Sequence, residues 1–176
     1  MTKGPATPKV SSQGFRHALG RFASGVTVLT VRGEHGQPHG MTASAFCSVS
    51  LEPPLVLVCV DHQARTHTLM KKTEWFGINV LRDDQREFSE YFARRERDSE
   101  QAGAERIGVR YKQTSNGTPM LERSLVEIEC RLVAAHEAGD HTVYVGEAEE
   151  LHYHEGEPLI YFRGAYRALC AEKHKE

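Results

Sequence analysis

The sequence lacks a long apolar run, and no stretch approaches the roughly 20 residues that a helix needs to span a bilayer. Its first residues, Met1–Pro5, contain no apolar segment of the kind found in a secretory signal. An excess of one charge is also missing, because 22 basic and 24 acidic residues leave a net charge of -2. That balance argues against a nucleic-acid surface. We therefore expect a cytoplasmic protein that binds neither membrane nor nucleic acid.

Cysteine is scarce, and no two cysteines form a C-x-x-C pair. The cysteines are Cys47, Cys59, Cys130 and Cys170. This spacing predicts reduced thiols rather than a disulfide framework. Cys47 and Cys59 fall in segments with the pattern of buried strands, so we expect inert thiols there.

Several motifs of catalysis and cofactor binding are absent. The sequence has no P-loop, no G-x-G-x-x-G turn and no serine nucleophile elbow. The absence of the first two motifs means that nucleotide binding by a Rossmann fold is not indicated. Two histidine pairs, His62 with His67 and His152 with His154, lack the spaced cysteines or carboxylates of a typical zinc site. No metal site is therefore predicted.

The sequence does contain a series of short apolar segments rich in β-branched residues. Strands are predicted over residues 26–31, from about 39, and over 55–60, 75–81, 125–136, 141–151 and 159–162. The run 55–60 is apolar at consecutive positions, which favours burial on both faces. Roughly six or seven strands without alternating βαβ units favour a closed antiparallel barrel.

Helical patterns are short and peripheral. Ser11 or Ser12 is a candidate cap for a first helix, whose apolar side chains recur at helical spacing. A second helix is predicted over 66–72. A third follows Asp84, which together with Glu87 resembles a capping box. The inner stripe of the third helix is predicted to be Phe88, Tyr91 and Phe92.

The remaining segments define the domain organisation. Residues 94–106 are rich in charge and predict a solvated loop or helix. Residues 1–10 are polar and contain two prolines, so they are expected to form a disordered N-terminal tail. We expect one domain over 11–170 and a C-terminal tail over 171–176.

Five motifs occur in a fixed order along the chain. They are residues 25–30 (GVTVLT), 40–56 (GMTASAFCSVSLEPPLV), 77–81 (GINVL), 139–142 (GDHT) and 161–167 (YFRGAYR). Together, over roughly residues 12–168, they resemble the short-chain flavin reductases, the small reductase components of two-component flavin-dependent monooxygenases. The resemblance implies a mostly β fold, an antiparallel split β-barrel of Greek-key type with peripheral helices. It also implies a homodimer with flavin in a groove near the dimer interface.

The segment 40–50 carries little side-chain bulk, although it precedes the apolar run 55–60. Small side chains let backbone N–H groups approach the N1/C2-carbonyl edge of a flavin ring, where they would stabilise the charge that reduction brings. The residues assigned to this edge are Thr42, Ala43 and Ser44, and those assigned to the ribityl side are Ser48, Val49 and Ser50. The alternative is that these residues pack a crowded barrel interior.

A flavin nucleotide also carries a phosphate. Arg65 and Thr66 open the helix predicted near 66–72, so free N–H groups, a guanidinium fork and a hydroxyl coincide there. In the family the corresponding loop holds the flavin phosphate, and the resemblance implies that role for Arg65 and Thr66. The alternative is an N-cap threonine beside a solvated arginine.

The segment 139–142 supplies a candidate for the nicotinamide site. In the family the histidine of this motif lies near the flavin, which implies that His141 positions NAD(P)H through its carboxamide or pyrophosphate. Hydride transfer between two stacked rings needs positioning rather than a nucleophile. Tyr166 and Phe92 are further candidates for flanking or covering the flavin, with core or interface packing as the alternative.

The predicted function is that of an NAD(P)H:flavin oxidoreductase whose FAD or FMN accepts a hydride and leaves, reduced, for a partner monooxygenase. FAD and FMN share the portion that these residues would contact, so the sequence does not choose between them. NADH is favoured over NADPH because no Arg or Lys cluster adjoins 139–141 to meet a 2′-phosphate. One alternative is a non-enzymatic flavin-binding or electron-transfer protein of the same barrel. The function of a relative that acts on a pyridoxal phosphate precursor is not indicated, because the sequence has no extra basic residues placed to bind a second phosphate.

Overall fold

The structure, a computed structural model, describes residues 10–94 and 100–169. In these ranges the helices are α1 (Ser12–Leu19), α2 (Arg65–Met70), α3 (Arg86–Phe92) and α4 (Glu100–Arg106). The strands are β1 (Ser24–Gly25), β2 (Thr27–Arg32), β3 (Pro38–Ala43), β4 (Phe46–Leu51), β5 (Pro54–Asp61), β6 (Trp75–Val80), β7 (Tyr111–Gln113), β8 (Pro119–Leu121), β9 (Val126–Ala138), β10 (His141–Tyr153), β11 (Ile160–Phe162) and β12 (Ala165–Arg167). The predicted tails lie outside these ranges, apart from Val10, and so do residues 95–99 and Cys170.

The main sheet is antiparallel and has seven strands in the order β3-β2-β6-β9-β10-β5-β4. Its edge strands, β3 and β4, are consecutive in the chain. Strands β1, β11 and β12 form a small second sheet, and β7 pairs with β8. The predicted mostly β, antiparallel fold with peripheral helices is confirmed. None of the helices in the described ranges is long and apolar enough to cross a bilayer.

Strand β4 was missed by the sequence pattern. Its residues are mostly small or polar, and a register shift between Ser48 and Ser50 places Val49 in a bulge. A bulge interrupts the alternation on which strand prediction depends. Strands β1, β7, β8 and β12 were also missed, because two or three residues are too few to show a period.

The core has two parts, which lie on opposite faces of β2. Leu29 and Val31 belong to the larger part, inside the main sheet, and Val28 belongs to the smaller part under α3 and α4. Strand β2 is therefore buried on both faces. Burial on both faces had been predicted for residues 55–60 of β5, and that prediction was wrong, because Val56, Val58 and Val60 are buried but Leu55, Leu57 and Cys59 are only half-buried.

The third helix begins differently from the prediction. A 3₁₀ turn over Asp83–Gln85 precedes α3, and the Arg82 backbone N–H donates to Oε1 of Gln85 at 3.0 Å. Asp84 instead lies 3.2 Å from the Arg82 guanidinium, so the predicted Asp84–Glu87 capping box is wrong. The inner stripe was predicted correctly, since Tyr91 and Phe92 are buried and Phe88 packs beside them.

Helix α1 is capped as predicted, because the Gly14 N–H donates to Oγ of Ser11 at 3.1 Å. Its apolar residues nevertheless face outward. Phe15, Leu19 and the following Phe22 are exposed, and the helix buries no residue within the described chain.

The three described cysteines are free thiols in different environments. Cys47 is exposed and Cys59 is half-buried, so the prediction that both are buried was wrong. Both lie on the outward side of the β4–β5 edge, where Cys47 pairs with Leu57. Cys130 is fully buried, and burial raises the pKa of its thiol to about 12.

Candidate functional site

A groove with a volume of about 580 Å³ opens between β3, the β5–α2 connection, α3 and the β11–β12 hairpin. Small-molecule sites typically enclose about 300–1,000 Å³. The predicted flavin-site residues that line the groove are Thr42, Ser44, Arg65, Thr66, Phe92 and Tyr166. The fold therefore brings together predicted residues from distant segments of the chain.

One wall of the groove is held by a chain of hydroxyl contacts. The Thr42 hydroxyl donates to the carbonyl oxygen of Ser89 at 2.7 Å, and Ser89 Oγ lies 2.9 Å from the Tyr166 hydroxyl. These contacts tie β3, α3 and β12 to one another. Ser89 also lines the groove and was not predicted, since nothing in its local sequence marks a contact between such distant segments.

Phe92 closes part of the groove from α3. Its side chain is almost fully buried, and it packs directly on Gly40 of β3. A Cβ atom built on Gly40 would lie 2.8 Å from Cε1 of Phe92, closer than side-chain carbons approach. A glycine at this position therefore lets α3 sit against the edge strand.

Tyr166 lines the groove from β12, among aromatic and cationic neighbours. Its ring meets the Tyr161 ring edge-on, with centroids 5.3 Å apart. The Arg86 guanidinium lies 5.1 Å from the Tyr166 ring centroid, which is within the range of a cation–π contact. Tyr161 and Arg94 also line the groove and were not predicted.

The start of α2 forms the polar end of the groove. The N-cap residue, Ala64, makes no side-chain cap, so the N–H groups of the first turn depend on other partners. Arg65 is exposed there. Oγ1 of Thr66 lies 2.8 Å from Nε2 of His39, and both side chains are buried. His39 also lines the groove and was missed by the sequence analysis.

Four of the residues predicted to bind the flavin do not line this groove. Ala43 is buried in the larger core, and its carbonyl oxygen accepts from the Thr27 hydroxyl at 2.6 Å. The packing alternative thus holds for the Ala43 side chain. Ser48, Val49 and Ser50 lie on the edge strand β4, which follows β3 in the chain but does not pair with it. Their assignment to the flavin remains a prediction.

His141 lies outside the groove lining but one strand away from it. It opens β10 and pairs in register with Asp61 of β5, and Asp61 does line the groove. Nδ1 of His141 lies 2.7 Å from the Asp140 carboxylate, and this hydrogen bond lowers the pKa of Asp140. The Asp140 carboxylate, in the turn before β10, therefore orients the His141 ring at the rim of the groove.

The sequence profile of the flavin reductase like domain matches residues 19–170. The chain belongs to the flavin reductase family. The match covers the groove and all the elements that build it.

Two relatives and one solved structure extend this flavin reductase assignment. An NADH-dependent flavin reductase of a Rhodococcus species is 44% identical over 96% of this chain and 92% of its own. The reductase component of the 4-hydroxyphenylacetate 3-monooxygenase of Thermus thermophilus is 38% identical over 89% of this chain and 96% of its own. The NADH:FAD oxidoreductase of Streptomyces globisporus, solved with NAD and FAD fragments, aligns over 97% of this chain and 99% of its own, with a TM-score of 0.84 and 31% identity.

The prediction of a flavin reductase is therefore confirmed, as are flavin and NADH as the small molecules of this family. The individual site residues remain predictions. The groove offers what a flavin nucleotide requires, namely an apolar wall, hydroxyl and backbone donors, and a cation at the start of α2.

Proposed function

We propose that the protein catalyses hydride transfer from NADH to FAD or FMN and releases the reduced flavin to a partner monooxygenase. The observation that carries the proposal is the groove, which joins Thr42, Arg65 and Phe92 in one cavity of about 580 Å³. The names of the relatives support NADH as reductant and a monooxygenase component as the recipient.

Within this proposal each wall has a separate task. Thr42 and Ser44 present little bulk, which gives the edge of the ring access to polar backbone groups of β3. Phe92 supplies an apolar surface, and Tyr166 is held in place through Ser89. Arg65 meets the phosphate at the exposed start of α2.

Hydride transfer then requires the two rings to be held together, and no side-chain nucleophile takes part. His141 stands beside Asp61 at the rim, where it would orient the nicotinamide of a bound NADH. Asp140 fixes one nitrogen of the His141 ring at 2.7 Å. His141 acts as a positioning residue in this scheme.

The proposed assembly is a homodimer. On the outer face of the sheet, Leu57 and Cys59 of β5 lie beside Val145 and Val143 of β10, and all four are only half-buried in the single chain. A two-fold contact would cover this apolar face. Light scattering is expected to give about 40 kDa, twice the 19.8 kDa of one chain; a monomer that reduces flavin at full rate would contradict the proposal.

A cytoplasmic location is also proposed. It is supported by the free thiols of Cys47, Cys59 and Cys130, since disulfides are rare in that compartment. Fractionation of the native host with an antibody against the protein tests it.

Steady-state oxidation of NADH and of NADPH, each with FAD, FMN or riboflavin, tests the function. A reductase oxidises NADH at a rate that rises with added free flavin. A protein that purifies with flavin and ignores added flavin would instead be the non-enzymatic flavin carrier.

A further inference from the structure

A cluster of two imidazoles and one carboxylate lies behind the groove. His62 belongs to the β5–α2 connection, His67 to α2 and Glu137 to the end of β9. Their ligand atoms all lie within 4.8 Å of one another. Nε2 of His62 is 2.8 Å from Oε2 of Glu137. None of the three residues lines the groove.

The three side chains converge on one hydroxyl oxygen. Oγ1 of Thr142 lies 3.0 Å from Nε2 of His67, 3.2 Å from Nε2 of His62 and 3.3 Å from Oε1 of Glu137. Two imidazole nitrogens and a carboxylate oxygen directed at a common point form the donor set of a divalent transition metal site. A magnesium or calcium site would require mainly oxygen ligands.

A buried side chain borders the cluster on one side. Tyr144 stands two residues from Thr142 on the same face of β10, and its ring centroid lies 6.2 Å from that of His67. Tyr144 is only 2% exposed, so the cluster lies against the packed interior on this side.

We propose that His62, His67 and Glu137 bind one Zn²⁺ ion, with the Thr142 hydroxyl or a water molecule as the fourth ligand. The sequence analysis named His62 and His67 as a pair but predicted no metal site, because the carboxylate comes from a distant strand and not from the neighbourhood of the histidines.

Such an ion would join two segments that border the flavin groove. Asp61 precedes His62, Arg65 lies between His62 and His67 in the chain, and both residues line the groove. The His62 backbone N–H donates to the Asp140 carbonyl oxygen at 3.0 Å, so the cluster also adjoins the turn before His141. The metal site does not depend on the proposed flavin reduction.

Metal-free protein titrated with Zn²⁺ by calorimetry, and with Co²⁺ by visible absorption, tests the proposal without flavin or NADH. One ion per chain is expected, and Co²⁺ should give the intense bands of a four-coordinate site. His62→Ala and Glu137→Gln should each weaken binding by roughly tenfold or more. Both side chains are partly exposed, at 33% and 67%, so the variants are expected to fold.

His152→Ala is the matched control, since His152 also lies 2.8 Å from a carboxylate, that of Glu150, but outside the cluster. Its Zn²⁺ affinity should equal that of the unmodified protein. Equal weakening in His152→Ala and His62→Ala would overturn the proposal and assign binding to surface histidines. So would unchanged binding in Glu137→Gln, with circular dichroism and urea midpoints showing that each variant is folded.

Discussion

Nε2 of His39 lies 2.8 Å from Oγ1 of Thr66, and the two side chains are only 2% and 1% exposed. His39 belongs to the edge strand β3 and Thr66 to the first turn of α2. The contact therefore fixes the start of α2 relative to the strand that carries Thr42. The Thr66 hydroxyl therefore already has a protein partner, and any contact that it makes with a flavin phosphate would also involve His39.

Thr66→Val should lower the free energy of unfolding by about 1–3 kcal/mol, because it removes a buried hydroxyl that His39 contacts. Urea unfolding measures the change. Thr68→Val, on the exposed face of the same helix, should change stability by about 0.5 kcal/mol or less. Equal losses in the two variants would mean that the buried contact contributes no more than an exposed threonine.

Arg65→Ala tests the phosphate assignment. Loss of a charge-assisted contact should raise the flavin KM roughly ten- to 150-fold with FMN or FAD, but hardly with riboflavin, which lacks the phosphate. Lys71→Ala, which removes an exposed cation from the other end of α2, should leave all three KM values nearly unchanged. An equal rise of the KM for riboflavin would make Arg65 a structural residue.

The sequence predicted most of the fold because β2, β5, β6, β9 and β10 carry dense β-branched or alternating apolar residues. These patterns reflect burial within one strand and can be recognised locally. Strand β4 could not be recognised, since its bulge at Val49 and its polar residues hide the period. The outward side of β5 was misjudged because half-buried apolar residues and core residues look alike in sequence.

The site was predicted only in part, and the missing residues share one property. Thr42 and Tyr166 belong to motifs that can be compared with a family, and the role of Arg65 came from the corresponding loop of that family. His39 contacts Thr66 and Ser89 contacts Tyr166, and in both cases the partner lies far along the chain. Such contacts depend on the register of the completed sheet, which no local pattern reports.

Gly40→Ala tests the packing of α3 on β3. The added methyl would lie within 2.8 Å of the Phe92 ring, so the ring must move and stability should fall by about 1–3 kcal/mol. Gly25→Ala is the control, because nothing lies within 4 Å of the added carbon. Flavin affinity should fall only in the Gly40 variant, as measured by fluorescence titration. A Gly40 variant as stable as the control would show that Phe92 relaxes without cost.

Thiol labelling in the native state should separate the cysteines. Cys47 is exposed and should react first, whereas burial raises the pKa of Cys130 to about 12 and shields it. The folded-state pKa lies above the unfolded value, so this thiol contributes stability below about pH 9 and loses that contribution as the pH rises toward 12. Mass spectrometry after iodoacetamide treatment from pH 7 to 10 measures the order. Rapid labelling of Cys130 at pH 8 would contradict its burial.

His141→Ala tests positioning at the rim of the groove. A nicotinamide misplaced by about 1 Å can slow hydride transfer on the order of a hundredfold, so stopped-flow reduction of saturating flavin by NADH should slow accordingly. Flavin affinity should stay within a few-fold, because His141 does not line the groove. His152→Ala is again the control, as an exposed histidine of the same strand paired with a carboxylate at 2.8 Å.

The two readouts distinguish positioning of NADH from binding of flavin. If His141→Ala loses flavin affinity but transfers hydride normally once saturated, the residue belongs to the flavin site rather than to the nicotinamide site. Asp140→Asn should resemble His141→Ala in a weaker form, because the carboxylate holds Nδ1 of His141 at 2.7 Å and does not itself line the groove. A full-rate Asp140→Asn variant beside a slow His141→Ala variant would show that the ring is oriented by NADH itself rather than by the turn.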